Sequence, residues 1–187
     1  MEERNFKILV ASIIIGIVIF WLLVYSFVSL GVDPLENIKD LFGEEEEVVL
    51  VVKGEVSEEL ELTLSDLKSD RYNHVENKQF QLINAFGRSF NVTYTGVTLW
   101  SILDQSGILT SNSKAFTFVA SDGYYSEKPL DLSLAKEYEN DVLLAYGGED
   151  FNENEDGTLR SVINRYVIPN ETTTHYWVKY LTTILIE

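Results

Sequence analysis

Few residues of this 187-residue chain have both the type and the spacing that catalysis needs. Cysteine is absent, which excludes disulfides, thiolate metal ligands and cysteine nucleophiles. The histidines, His74 and His175, are not spaced as a metal site, and the aromatic neighbours of His175 favour a packing role. No Ser-His-Asp arrangement and no phosphate-binding glycine loop can be recognised. The residues alone therefore predict neither a catalytic residue nor a metal ligand.

One polar loop imitates the beginning of a calcium-binding loop. Asn152, Asn154, Asp156 and Gly157 have the spacing of early calcium ligands. Ile163 takes the position of the bidentate glutamate, which excludes a complete EF-hand. A weak calcium site and an ordinary solvated loop both remain open.

A group of aromatic side chains could line a ligand pocket. Aromatic residues at strand positions more often belong to a core, so both interpretations remain open. The residues concerned are Trp100, Tyr124, Tyr125, Tyr146 and Trp177.

The hydrophobic pattern predicts many strands and a few short helices, which is an α+β fold with a mixed sheet. The first strand is apolar throughout and should be buried on both faces. Strands are expected near 48–52, 60–64, 72–86, 89–95, 115–120, 141–146, 158–163 and 177–186. Short helices are expected near 65–68, 98–106 and 130–139.

The clearest local pattern surrounds Gly96. A strand is expected to end at Thr95 and the chain to turn at Gly96. Thr98 can then cap a short helix, and Gly107 can end it in the left-handed conformation. This segment places its neighbours but carries no chemistry of its own.

The N-terminal part of the chain divides by charge into a head (1–7), an uncharged run (8–30) and an acidic juxtamembrane linker (31–47). The uncharged run exceeds the about 20 residues that cross a bilayer core, and the apolar region of a cleaved signal peptide is usually only about 7–15 residues long. It therefore predicts a transmembrane helix, followed by a domain at 48–187.

The orientation follows from the basic residues. Arg4 and Lys7 precede the uncharged run, and such residues favour the cytoplasmic side. The glycosylation sequons at Asn91 and Asn170 agree with this orientation. We therefore expect a single-pass protein of the cell membrane whose C-terminal domain lies outside the cytoplasm.

The net charge of −16 restricts the partners. A domain this acidic offers no basic surface for a phosphate backbone, so nucleic acid is not expected to bind. A small ligand or a protein partner remains open.

Seven motifs occur in order along residues 48–187. They are GEV (54–56), LTLSDL (62–67), YTGVTLWSIL (94–103), SDGY (121–124), DVLLAY (141–146), DGTLR (156–160) and WVKYL (177–181). Together they resemble the molybdopterin-binding domain of the sulfite oxidase family, in which residues 94–103 are similar to Y-x-G-V-x-L-x-x-L-L.

The resemblance implies an α+β fold, a molybdopterin cofactor and a molybdenum-dependent oxidoreductase. Cationic side chains would have to hold the phosphate of the pterin. Arg160 and Lys179 stand at family-like positions, and Arg88 and Asp122 complete the set of expected cofactor-binding residues. The alternative is that these cations form structural salt bridges in an acidic domain.

The chain departs from the family at the metal ligand. Catalytic members place a cysteine thiolate on molybdenum in the region that corresponds to 82–88, which reads LINAFGR here. Neither Asn84 nor Arg88 can replace a soft anionic thiolate. We therefore expect a membrane-anchored domain of this fold that does not perform standard oxo transfer, or else a non-catalytic module that binds a small ligand or a protein.

Overall fold

The computed structural model describes residues 46–152, 155 and 157–187, together with Trp21 and Tyr25. The contacts divide the chain at Glu45, and the unit Glu46–Glu187 contains all the elements named below. The head (1–7), most of the predicted transmembrane helix (8–30) and most of the linker (31–47) lie outside the described residues. Within the described part, no helix is long and apolar enough to cross a bilayer.

The first sheet has five strands in the order β2-β1-β9-β5-β6. Strands β1 and β9 are parallel, whereas the other neighbours are antiparallel, so this sheet is mixed. Its strands are β1 (Val48–Gly54), β2 (Leu60–Thr63), β5 (Ala115–Ala120), β6 (Leu130–Asp131) and β9 (Leu181–Ile186).

The second sheet has four antiparallel strands in the order β3-β4-β7-β8. Its backbones approach closely at Gly96, where an added Cβ would lie 2.3 Å from the carbonyl oxygen of Leu144. The strands are β3 (His74–Ile83), β4 (Ser89–Thr98), β7 (Val142–Gly148) and β8 (Arg160–Ile163).

Short helices follow strands and are capped by side chains. Thr98 accepts the N–H of Ser101 at 3.4 Å, and Gly107 ends that helix at φ 67°, as the sequence predicts. Asp131 accepts the N–H of Ser133 at 2.8 Å. The helices are α1 (Leu64–Leu67), α2 (Leu99–Ser106) and α3 (Leu132–Glu137), and the 3₁₀ turns are Glu139–Asp141, Arg165–Val167 and Thr173–Tyr176.

Both faces of the second sheet are covered. Along β7, Val142 and Leu144 belong to the main core, while Leu143 and Ala145 belong to a second cluster on the opposite face. This alternation is the period of two that a strand imposes. Trp177 packs against the second cluster, together with Phe151, Phe90 and Val92.

Four local predictions are wrong. Gly96 lies inside β4 instead of forming a turn, because its missing Cβ permits the close approach to β7. The last strand begins only at Leu181, since Tyr180 adopts a positive φ of 52° that interrupts the extended backbone. Strand β1 is fully buried on one face only, at Leu50 and Val52. Helix α1 begins one residue early, capped by Thr63.

Candidate functional site

Arg160 is the largest fully buried side chain, with 2% of its surface exposed. It begins β8 and pairs with Ala145 of β7. An isolated β-bridge joins it to Lys179, so the two expected cofactor-binding cations are neighbours. Like Val162 two residues later, Arg160 is directed to the face of the second sheet that Trp177 covers.

Two carboxylates neutralise this guanidinium. Nη1 of Arg160 forms an ion pair with Asp150, and Nη2 lies 3.3 Å from Oε1 of Glu155. The same Glu155 oxygen lies 3.9 Å from Nζ of Lys179. The hydroxyl of Tyr94 donates to Asp150 at 3.1 Å. We call these five side chains, from Tyr94 to Lys179, the Arg160 cluster.

Aromatic rings enclose the guanidinium. Its Cζ lies 4.6 Å from the ring centre of Phe151 and 5.3 Å from that of Trp177. Tyr94 meets Trp177 edge to face at 6.2 Å. Such contacts stabilise a desolvated cation through the quadrupole of the ring. The Arg160 cluster is therefore an ion-pair network in which the charge of the buried guanidinium is compensated within the protein.

The surroundings in the cluster keep Tyr94 neutral and Glu155 ionised. Burial raises the pKa of Tyr94, and the charge of Asp150 raises it further, so the phenol stays neutral. The backbone N–H of Asn152 bonds Glu155 at 3.1 Å and lowers its pKa, an effect to which the charges of Arg160 and Lys179 add. Glu155 is thus held as an anion.

Arg88 and Asp122 lie on exposed turns. The backbone N–H of Arg88 donates to Oδ1 of Asn84 at 3.0 Å within the β3–β4 turn. Oδ1 of Asp122 accepts the N–H of Tyr124 at 2.9 Å. Within the described residues, no hydrogen bond or ion pair joins either of them to the Arg160 cluster. Of the expected set, the structure brings together only Arg160 and Lys179.

A groove of about 510 Å³ lies between the turn after β5 and the 3₁₀ turn Thr173–Tyr176. Its lining includes the exposed rings of Tyr124 and Tyr125 and the hydrogen-bonded pair Glu127 and His175. Gly123 completes the lining. We call it the tyrosine groove.

A second groove, of about 570 Å³, lies beside the first strand. Glu46 and Glu47 stand at one side, and Oε1 of Glu46 accepts the hydroxyl of Ser65 at 2.7 Å. This hydrogen bond lowers the pKa of Glu46. No lysine or arginine lines this groove within the described part of the chain.

The other aromatic pocket candidates have separate surroundings. Trp100 lies under Nζ of Lys136 at 5.2 Å. The hydroxyl of Tyr146 bonds Nδ1 of His74 at 3.1 Å. Together with Trp177 over Arg160, these contacts leave only Tyr124 and Tyr125 in a shared groove.

The family follows from the sequence match. A model of the family "oxidoreductase molybdopterin binding domain" matches residues 38–187. The chain belongs to this family. The resemblance inferred from the motifs is therefore confirmed, together with the α+β fold of mixed sheets and short helices.

A solved structure agrees with this fold. The sulfane dehydrogenase SoxCD from Paracoccus pantotrophus superposes with a TM-score of 0.51 at 16% identity. The match covers 76% of this chain and 39% of that chain. This chain therefore spans well under half the length of that relative. No curated protein sequence matches it.

The Arg160 cluster does not fit the anionic cofactor that the family name implies. A phosphate would have to displace Asp150 and Glu155 from a guanidinium that is already buried and paired. The buried atoms without a hydrogen-bond partner in the described part include Nε of Arg160 and Nε1 of Trp177, but also the anionic Oδ1 of Asp150, which would repel a phosphate. Lys179 is exposed, yet Glu155 offsets its charge.

The metal ligands are equally missing from the described residues. No group of three or more histidine, aspartate or glutamate side chains is arranged there to hold a metal ion, and the chain has no cysteine. Residues 82–88 form the end of β3 and an exposed turn. Asn154 and Asp156 of the possible calcium loop lie outside the described residues.

Sequence reasoning missed the carboxylates that neutralise Arg160. Asp150 and Glu155 stand in a polar loop whose composition indicates only solvation, and their role depends on the way this loop folds over β8. The only sequence signal for these partners was the excess of acidic residues in the loop before Arg160. It favours an ion pair but does not identify the partner.

Proposed function

We propose that this chain is a membrane-anchored, extracytoplasmic domain of the molybdopterin-binding family that does not perform oxo transfer at a thiolate-bound molybdenum. The lack of cysteine supports the chemical part of this proposal. The carboxyl and amide groups of the chain are hard ligands and cannot supply the soft, anionic sulfur that the reaction would need.

The observation that carries the proposal is the neutralisation of Arg160. In a chain with 14 basic and 30 acidic residues, the cation at the family-like position is enclosed by Asp150, Glu155 and two rings. Breaking such a buried pair leaves an uncompensated charge and costs about 3–5 kcal/mol. A phosphate that displaced Asp150 and Glu155 would leave their charges without the cation that compensates them.

The anchor and the location rest on sequence. The uncharged run 8–30 is long enough for a bilayer, and Arg4 and Lys7 precede it. Because the chain has no cysteine, a single introduced thiol reports the side of the membrane. Glu58→Cys, at an exposed position, should react with an impermeant maleimide in intact cells. Labelling only after lysis would place the domain in the cytoplasm.

The second candidate function is binding of a small ligand without catalysis. The tyrosine groove favours it, because this shallow, open groove places exposed aromatic rings beside a carboxylate. This function needs neither a thiolate nor an accessible arginine.

The cofactor content of the purified chain tests the proposal. The full chain is expressed in cells that make the molybdenum cofactor, and molybdenum and pterin are quantified per chain. A cysteine-containing family member expressed in the same cells shows that cofactor was available. We expect a folded chain with neither component. One molybdenum and one pterin per chain would refute the proposal.

A further inference from the structure

The tyrosine groove exposes two aromatic residues. Tyr124 and Tyr125 are 48% and 64% exposed, although tyrosine is usually half-buried or better covered. Both line the same groove, and Tyr124 is held in place because its hydroxyl donates to the carbonyl of His175 at 3.4 Å. The turn that carries them is fixed by Asp122, which bonds the N–H of Tyr124.

The groove has a negative local charge. Glu127 lines it, and only its Oε2 is engaged, by Nδ1 of His175. Since a carboxylate can only accept, Nδ1 of His175 must carry the proton of this bond. The hydrogen bond to Glu171 at 2.5 Å raises the pKa of the adjacent Lys128, and the charge of Glu127 adds a smaller contribution. No lysine or arginine lines the groove among the described residues.

This combination selects the charge of the ligand. Aromatic faces attract cations through their quadrupole, and a carboxylate adds a full opposite charge. An anion would be repelled by Glu127. A neutral apolar ligand would bury Glu127 without compensating its charge, which is unfavourable. An organic ammonium group satisfies both features.

We propose that the tyrosine groove binds a small free organic ammonium compound, with Tyr124 and Tyr125 against the cation and Glu127 as its counter-ion. His175 orients the carboxylate through Nδ1. A groove of about 510 Å³ has the size of a small-molecule site. This inference deepens the second candidate function and rests on it.

Choline is the probe, and 3,3-dimethylbutan-1-ol is its neutral isostere. The full chain is titrated with each by calorimetry in a maltoside detergent, whose headgroup carries no ammonium. We expect saturable binding of choline and at least about tenfold weaker binding of the isostere, as a lost cation–carboxylate attraction predicts. No binding of choline, or equal binding of both compounds, would overturn the proposal.

Variants assign the binding to the groove. Glu127→Gln keeps an acceptor for His175 but removes the charge, and Tyr125→Ala removes the more exposed ring. Each should weaken choline binding about tenfold. The matched controls, Glu61→Gln on β2 and Phe86→Ala on the β3–β4 turn, should leave it unchanged. An equal loss in the controls would refute the assignment.

Molybdenum and pterin are quantified in the same preparation. If both are present, the proposal that the chain holds no molybdenum cofactor is refuted, independently of the result with choline. Their absence together with unmeasurable choline binding would refute only the ammonium site. The two proposals therefore fail independently.

Discussion

The Arg160 cluster and the tyrosine groove carry opposite arrangements of charge and aromatic rings. In the cluster, Phe151 and Trp177 enclose a cation that belongs to the protein, and Asp150 and Glu155 neutralise it. In the groove, two tyrosines and Glu127 are exposed, and no lysine or arginine lines the groove among the described residues. Both proposals rest on this contrast.

This difference has a physical cause. Arg160 is part of β8, so its position is fixed by strand pairing and its charge must be compensated within the fold. Glu127 and Tyr125 lie in the exposed segment between β5 and β6, and the carboxylate of Glu127 has a surface partner in His175. Substitutions should therefore affect stability in the cluster and binding in the groove.

The largest expected effect is that of Arg160→Met. It leaves Asp150 and Glu155 close together without a cation, and the free energy of unfolding should fall by about 3–5 kcal/mol. Urea unfolding of the variant and of the control Arg165→Met measures it. Among the described residues, the contact of Arg165 is with the hydroxyl of Ser89, to which it donates at 3.2 Å. The free energy of unfolding of Arg165→Met should therefore fall by less than about 1 kcal/mol. Equal losses would show that the cluster is not a special source of stability.

The next effect is that of Gly148→Ala. An added Cβ would lie 2.6 Å from the ring of Tyr94 and 2.6 Å from the carbonyl oxygen of Thr93. This clash should displace the ring of Tyr94 and break its hydrogen bond to Asp150. Overpacking of this kind costs about 1–3 kcal/mol. Gly147→Ala is the matched control, because nothing lies within 4 Å of its Cβ. If the thermal unfolding midpoints of the two variants agreed, the hydrogen bond from Tyr94 to Asp150 would not contribute to stability.

A smaller effect should depend on pH. The pKa of Glu155 is lowered in the folded chain, so its contribution is complete above its ordinary value of 4.5 and is lost as the pH falls through the folded value. At pH 6, the free energy of unfolding of Glu155→Gln should therefore be lower than that of the parent, by less than the loss expected for Gly148→Ala. The difference between Glu155→Gln and the parent should shrink below about pH 4.5. Denaturant midpoints at pH 6 and pH 3 measure it. A constant difference would exclude a role of the charge.

The smallest effect is expected in the groove. Tyr125→Ala removes an exposed ring, and the free energy of unfolding should change by less than about 0.5 kcal/mol. Chemical denaturation of the variant and the parent tests this. A loss comparable to that of Arg160→Met would mean that Tyr125 is part of the core and not of a binding surface.

The sequence predicted the fold well where the signal was local. Strand alternation, the Thr98 cap and the left-handed Gly107 depend on neighbouring residues, so they could be read directly. The conformations of Gly96 and Tyr180 could not be predicted in this way. Gly96 is determined by the close approach of β7, and Tyr180 lies in a backbone turn that precedes β9. An isolated segment contains neither cause.

The site was predictable in part. The family resemblance placed Arg160 and Lys179, and the bridge between them explains why both belong to one place. Their partners were not predictable, because Glu155 reaches Arg160 only after a polar loop has folded over β8. The cofactor-binding role of all four expected residues stays a prediction, which a cofactor-bound chain would test. The structure places Arg88 and Asp122 on exposed turns.

One measurement tests the contrast between the two regions most directly. Side-chain NMR spectra of the isotope-labelled full chain in maltoside detergent are recorded during titration with inorganic phosphate and then with choline, at constant ionic strength. We predict that the Nε–H resonance of Arg160 does not respond to phosphate, while the ring resonances of Tyr124 and Tyr125 shift with choline. A saturable phosphate response at Arg160 would contradict the account, because it would show that the guanidinium is open to an external anion.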